Sequence, residues 1–184
     1  GMEAFRNGCM RNRVLGLEAV MADGSVFDDL TTVLKSNIGY DIKHLLIGSE
    51  GTLGIISKAV IRLEPIHRHT GTFLLSFDTA SASLNILRHL TNTSGINVLR
   101  SEIMWRSHFE TTASLLNFKR LTDFAKNARI FVIFEVKLDA PADFESVAEK
   151  VLEGCASTDG FVDALALKSE RECAEVWRIR EDWA

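Results

Sequence analysis

The chain has 184 residues, enough for one large domain or two small ones, and 46% of them are hydrophobic while 25% are charged. This balance is typical of a folded protein and excludes an intrinsically disordered chain. The formal net charge of -4 argues against a nucleic-acid partner, because neutralising phosphates requires clustered Lys and Arg.

The first third of the chain is predicted to form strands around a glycine-rich loop. Asp23-Gly24 is a strong two-residue hairpin signal between two strand-like segments. The predicted elements are a strand at 13–22, a return strand at 25–27, a short helix at 41–46 and a strand at 55–63. Pro65 and the short polar segment 66–69 follow, so we expect two domains, residues 1–66 and residues 67–184.

The remainder of the chain alternates between strands and helices. The predicted strands are 72–77, 98–103, 130–138 and 160–166, and the predicted helices are 80–92, 104–118, 139–153 and a last one from Ser169. Asp78-Thr79 is a candidate cap, and Ser169 with Glu172 forms a capping-box pattern. This alternation predicts an α+β architecture, with helices on one face of a mostly antiparallel sheet.

No segment of the sequence is suited to a membrane or to secretion. The most apolar run, Ile130–Phe134, is far shorter than the roughly 20 residues that span a bilayer. Residues 1–6 lack the charged-then-apolar layout of a secretory signal. Cys9, Cys155 and Cys173 form no Cys-x-x-Cys pair, so we expect three free thiols and a cytoplasmic protein.

Residues 47–56, Ile-Gly-Ser-Glu-Gly-Thr-Leu-Gly-Ile-Ile, are the most informative stretch. Without Cβ atoms, glycines that recur every three residues let a loop bring its N–H groups against a flat or anionic ligand. A Rossmann fingerprint needs a strand before the loop and a helix after it, and here that order is reversed. A P-loop would need Gly-Lys-Ser/Thr, which is absent. On spacing alone, a ligand-cradling loop and a plain glycine-rich corner fit equally well.

Together with residues 37–46, this string resembles the flavin-binding signature of the FAD-linked D-2-hydroxyacid dehydrogenases. That family includes the glycolate oxidase FAD subunit, D-lactate dehydrogenase and D-2-hydroxyglutarate dehydrogenase. Residues 15–24 are similar to its Leu-Gly-Leu-Glu-Val-Val-Leu-Ala-Asp-Gly pattern, with Ala19 in place of a Val. The resemblance implies that residues 1–66 are the C-terminal part of a PCMH/vanillyl-alcohol-oxidase-type FAD-binding domain. Residues 67–184 would then be the N-terminal part of a ferredoxin-like substrate or cap domain.

The same resemblance implies FAD as the cofactor and hydride transfer from C2 of a small D-2-hydroxyacid to flavin N5. The implied FAD contacts are Gly48, Ser49, Glu50, Gly51, Thr52, Gly54 and Ile55 in the loop and next strand, and Gly16, Glu18 and Val20 in the earlier strand. Asn7 stands where the family often has Tyr, and Arg11-Asn12-Arg13 follows. For this segment a flavin contact and a solvated turn both remain open.

The last helix supplies the candidate substrate residue. Arg178 and Arg180 are two residues apart, so they point to different faces of the helix. A guanidinium forms a planar fork that matches a carboxylate, although from the residues alone a solvated end of an amphipathic helix is the favoured interpretation. Residues 176–181 resemble the family's Leu-Trp-x-Leu-Arg-Glu segment, which implies that Arg180 binds the substrate carboxylate and that Arg178 is at a variable position.

Other polar residues offer no defensible site. His67 and His69 lack a third ligand nearby, so we expect no metal site, and Glu102, Glu110 and Glu135 form no convincing acid/base dyad.

The resemblance covers only a middle portion of a family member. The earlier pyrophosphate-binding loop and the later Gly-His-x-Gly-Asp-Gly-Asn-x-His segment do not occur in these 184 residues. We therefore expect the chain to be inactive alone, with self-association or a partner chain completing the FAD site. The alternative is a non-catalytic remnant that acts as a binding or dimerisation module.

Overall fold

The computed structural model describes residues 4–35, 37 and 39–182. In chain order its elements are α1 (Ala4–Asn7), β1 (Val14–Met21), β2 (Val26–Asp29), α2 (Lys43–Leu46), β3 (Gly54–Ile61), β4 (His69–Phe77), α3 (Ala80–Asn92), β5 (Asn97–Trp105), α4 (Arg106–Leu115), α5 (Lys119–Thr122), β6 (Ile130–Leu138), α6 (Asp143–Ala156), β7 (Phe161–Leu167) and α7 (Glu170–Glu181). They belong to two compact units that divide between Ile66 and His67, and residues 4–6 belong to the second unit.

The first unit is a three-stranded antiparallel sheet in the order β2-β1-β3. The predicted hairpin is confirmed: Met21 and Ser25 close it, and Gly24 adopts a φ of 83°. Leu17 and Ala19 project from β1 onto Leu46 of α2 and form a small buried core. Because β-strand side chains alternate, Glu18 and Val20 project to the opposite face.

The second unit is a four-stranded antiparallel sheet in the order β5-β6-β4-β7. With α3 between β4 and β5 and α6 between β6 and β7, this order is that of a ferredoxin-like βαββαβ fold, as predicted. The two helix caps that the sequence predicts are also present. The Thr79 side chain accepts a hydrogen bond from Ala82 N, and Ser169 with Glu172 forms a complete capping box at α7.

One prediction about this sheet is wrong, because helices cover both of its faces rather than one. Phe73, Leu75 and Phe77 of β4 pack with α3 and α6, whereas Leu74 packs on the other face with α4, α5 and α7. The reason is visible in β6, whose apolar residues continue without alternation from Ile130 to Phe134. Such a run is typical of a strand buried on both sides.

Several element boundaries also differ from the prediction, most clearly around α4. β5 continues to Trp105, so α4 begins at Arg106 and ends at Leu115, well short of Phe118. The single-turn helix α5 was not predicted. In this region Phe109 stacks on Phe131 with ring centroids 3.9 Å apart, and that packing fixes α4 on the sheet.

Candidate functional site

The glycine-rich loop is a pair of tight turns between α2 and β3. Ser49 N donates to Leu46 O at 3.1 Å, and Thr52 N donates to Ser49 O at 3.0 Å. Gly48, Glu50 and Gly51 have φ angles of 83°, 52° and 80°, in the left-handed region. Glycine adopts this conformation without strain, which explains two of the glycines. Glu50 adopts it despite its Cβ.

The outer surface of the loop is exposed. Gly48, Glu50, Gly51 and Thr52 are exposed, and a Cβ added at Gly51 would meet no described atom within 4 Å apart from its chain neighbours. A flat ligand can therefore approach the peptide groups at Gly51 without displacing any described side chain beyond those of the two adjacent residues. The residues present fit a cofactor with a planar ring system, in the manner that the resemblance implies.

Arg11 anchors this loop from the segment before β1. Its half-buried guanidinium donates to the carbonyl oxygens of His44 and Ile47, at the C-terminal end of α2. Basic side chains are suitable partners for such unpaired carbonyls. Arg11 is therefore not part of a plain solvated turn. The sequence carries no signal for this contact, because 36 positions separate Arg11 from Ile47.

The three predicted residues of β1 have different surroundings. Gly16 is buried, and a Cβ there would lie 2.2 Å from Asp29 O. The absence of a side chain therefore allows close packing against the end of β2. Val20 pairs with Ile55 of β3, and both are exposed. The register thus brings Val20 beside the predicted loop contacts, while Gly16 lies further along β1.

Glu18 already has partners on β3. Its carboxylate accepts hydrogen bonds from Lys58 Nζ at 2.8 Å and from Ser57 Oγ at 2.7 Å. Both hydrogen bonds lower the pKa of Glu18, and the one from Lys58 has the larger effect. This carboxylate therefore acts as a cross-strand tie in the structure, and its contact with FAD stays a prediction.

In the second unit, Arg178 and Arg180 have different partners. Arg178 is exposed, and its Nε donates to Asp182, the residue that follows α7, at 2.9 Å. Arg180 is half-buried, and its Nε donates to Glu102 Oε2 on β5 at 3.0 Å. Arg180 is thus held against the sheet, and Arg178 is not.

A second ion pair lies on the same strand. Arg100 Nε donates to Glu135 Oε2 at 2.5 Å, and its guanidinium lies 3.8 Å from the centroid of the Trp177 ring. Neither Glu102 nor Glu135 is part of an acid/base dyad in the structure, since each is paired with an arginine. The sequence alone does not predict these pairs. The Arg100–Glu135 pair follows from the register of β5 and β6, and the Arg180–Glu102 pair joins α7 to β5.

The second unit also contains an open cleft of about 770 Å³ that the sequence does not reveal. Arg100, Glu135 and Trp177 line it, with Phe144 and Lys168 at its wall. Lys168 is paired with Glu145 at 2.5 Å, as Arg100 is with Glu135. These cations are already neutralised, which weakens the cleft as a site for an anion.

The described residues contain no group of three His, Cys, Asp or Glu side chains that could bind a metal ion. None of their helices combines the length and the apolar character needed to cross a membrane.

Comparisons with known proteins agree with this geometry. Residues 66–184 match the family model described as "FAD linked oxidases, C-terminal domain". The chain is 28% identical to D-2-hydroxyglutarate dehydrogenase, mitochondrial, of Rattus norvegicus, over 98% of the chain and 33% of that protein. It is 29% identical to D-lactate dehydrogenase [cytochrome], mitochondrial, of Arabidopsis thaliana, over 100% of the chain and 31% of that protein. The chain therefore spans about a third of the length of these relatives.

Among solved structures, alkyldihydroxyacetonephosphate synthase superposes with a TM-score of 0.61 at 15% identity, covering 97% of the chain and 33% of that protein. This likeness concerns the fold alone. The predicted fold class and the predicted family resemblance are confirmed.

Proposed function

Because the chain belongs to the family of FAD-linked oxidases, whose C-terminal domain model matches residues 66–184, we propose that it supplies part of the site of a flavin-dependent D-2-hydroxyacid dehydrogenase. The relatives that carry dehydrogenase names act, by those names, on D-2-hydroxyglutarate and D-lactate. The predicted cofactor agrees with the family description. When bound, FAD supplies the redox chemistry by accepting the hydride of the hydroxyacid.

In the first unit, the proposed cofactor surface consists of residues 48–55 with Val20 beside them. The observation that carries the proposal is the exposed, left-handed backbone at Gly51, where no described atom apart from its chain neighbours lies within 4 Å of an added Cβ. Arg11 supports this surface by holding the end of α2. A rigid loop loses little conformational freedom when a ligand binds to it.

In the second unit, the proposed substrate group is Arg180. Its guanidinium would bind the carboxylate of the hydroxyacid, because a planar fork of N–H donors matches the two carboxylate oxygens. Arg178 is less suited to this role, because Asp182 engages both its Nε and its Nη2, whereas Glu102 engages only Nε of Arg180.

The cofactor surface can be tested by titrating FAD with the chain and following flavin fluorescence anisotropy. Asn tolerates the left-handed conformation, so Gly51→Asn adds a side chain above the loop with little backbone strain. Gly24→Asn is the matched control, because Gly24 also has a positive φ of 83° and open surroundings but lies in the hairpin turn. We expect Gly51→Asn to weaken FAD binding at least about tenfold and Gly24→Asn to leave it unchanged. Equal affinities of the two variants would refute the proposed surface.

A second candidate function, association with another copy of the chain, is favoured by one observation. An apolar cleft of about 500 Å³ in the first unit is lined by Phe27, Ile42, Leu45 and Leu53, and Leu45 is 66% exposed. Contiguous apolar surface of this kind commonly marks an interface. Leu45→Glu should convert a dimer to a monomer in light scattering. Leu84→Glu is the control, because Leu84 is 57% exposed on α3 in the second unit. A wild-type chain that is monomeric at working concentration removes this candidate.

We propose that the protein is cytoplasmic. Cys9, Cys155 and Cys173 are all free, which supports a reducing compartment. The two relatives named above are mitochondrial by their names. Imaging a tagged chain in its own cells distinguishes the two compartments.

A further inference from the structure

We propose that Glu102 is a positioning residue, which orients the guanidinium of Arg180 so that its two terminal nitrogens face a substrate carboxylate. This inference rests on the proposed role of Arg180. The contact that carries it joins Arg180 Nε to Glu102 Oε2 at 3.0 Å. The side chains are 32% and 21% exposed, so the pair lies at the surface of the sheet without being fully solvated.

The geometry of this contact leaves the binding fork free. Glu102 engages only Nε, and neither Nη1 nor Nη2 of Arg180 makes a hydrogen bond to any residue that the structure describes. Two parallel N–H donors remain on the outer edge of the guanidinium, and this is the edge that binds a carboxylate in a bidentate manner.

Both ends of the pair are fixed by regular structure. Glu102 lies on β5 opposite Ile133 of β6, within a continuous antiparallel ladder. Arg180 lies in the last turn of α7, where His108 Nε2 is 3.0 Å from the carbonyl oxygen of Ile179. An arginine side chain has considerable rotamer freedom, which a rigid partner removes before the ligand arrives.

The neighbouring ion pair has different surroundings. Arg100 is also bonded to a glutamate through Nε, but the Trp177 ring covers its face at 3.8 Å. No aromatic ring of the described residues covers Arg180 in this way. The Arg100 guanidinium is therefore stacked beneath α7, while the Arg180–Glu102 pair holds a guanidinium that no described ring covers.

The test uses the whole 184-residue chain, labelled with ¹⁵N, and 2-oxoglutarate as the carboxylate probe. Two quantities come from the same spectra: the hydrogen-exchange rate of the Arg180 Nε–H, and the dissociation constant of the probe. The variants are Glu102→Gln, Glu102→Asp and Arg180→Lys, with Glu135→Gln as the control from the neighbouring pair. The amide spectrum confirms that each variant is folded.

We expect Glu102→Gln to accelerate Nε–H exchange of Arg180 and to weaken probe binding about tenfold, the effect of losing one charge-assisted hydrogen bond. Glu102→Asp should recover part of both quantities. Glu135→Gln should change neither, and Arg180→Lys should abolish binding.

The two ideas fail in different ways. If Arg180→Lys abolishes binding while Glu102→Gln binds as well as or better than wild type, Glu102 is not a positioning residue, and the proposed function stands. Unchanged Nε–H exchange in Glu102→Gln refutes the positioning role whatever the affinity. If Arg180→Lys binds like wild type, or wild type does not bind, the substrate role of Arg180 fails and the positioning role falls with it.

Discussion

The guanidinium of Arg100 lies 3.8 Å from the centre of the Trp177 ring while its Nε donates to Glu135. One side chain thus links strands β5 and β6 to helix α7. Trp177 is buried and the Arg100 side chain is 26% exposed, so the stacking is partly desolvated. Such cation–π contacts are stronger when the partners are desolvated.

We predict that Arg100→Ala lowers the free energy of unfolding by about 1–2 kcal/mol, through loss of the stacking and of the ion pair. Urea denaturation followed by Trp fluorescence measures this change. Arg129→Ala is the control, because Arg129 is exposed in the turn before β6. If both variants lose the same stability, the stacking does not hold α7 on the sheet.

Gly16 is predicted to be required for packing within the first unit. A Cβ in Gly16→Ala would lie 2.2 Å from Asp29 O and 2.5 Å from Thr31 N, so backbone must move at a cost of about 1–3 kcal/mol. The measurement is the amide spectrum together with urea denaturation. Shifts should extend to residues 29–31, whereas Gly24→Ala should disturb only its own turn. Confinement of the Gly16→Ala shifts to β1 would contradict the close approach.

Local signals explain which parts of the fold were predictable. The capping box at Ser169 and the Asp23-Gly24 hairpin depend on neighbouring residues, and both appear in the structure. The strand at Ile130–Leu138 was predicted at its observed bounds because its apolar run is long and uninterrupted. The second helical layer was missed, although the unalternating apolar run from Ile130 to Phe134 is typical of a strand that is buried on both faces.

The candidate site was predictable only in part, because some of its contacts join residues that are far apart in the sequence. The glycine spacing identifies the loop before β3, but its positive φ values arise from the turns that the whole segment forms. Arg11 and Glu102 act on partners 36 and 78 positions away, respectively. Contacts over such separations follow from strand register and helix packing, which no short motif encodes.

The stability of the chain should depend on pH through Glu172. A hydrogen bond from Arg120 has the largest effect on its pKa, and hydrogen bonds from Ser169 add to it. Together they lower the pKa of Glu172 below the ordinary 4.5. A depressed carboxyl pKa contributes stability above pH 4.5, and this contribution is lost as the pH falls through the lower folded-state value. Glu172→Gln and Arg120→Met should each lose less stability than wild type over this acidic interval, as measured by thermal unfolding. Profiles parallel to wild type would show that the pair contributes nothing.

The three thiols should differ in reactivity. Burial raises the pKa of the Cys155 thiol to about 12 and also raises that of Cys173, whereas Cys9 is exposed. Because the thiolate is the reactive form, Ellman's reagent should modify Cys9 rapidly and Cys155 only after unfolding. The Cys9→Ser variant should lack the rapid phase in the native state. A rapid phase that survives this substitution would show that Cys155 or Cys173 is accessible.

Amide chemical shifts of the ¹⁵N-labelled chain, recorded with increasing FAD, map where the flavin binds. We expect FAD to shift the amides of residues 48–55 most strongly, with Val20 on the neighbouring strand also affected. Shifts that leave this loop unchanged while appearing elsewhere, or no shifts at saturating FAD, would contradict the claim that the glycine-rich loop is a flavin-binding surface.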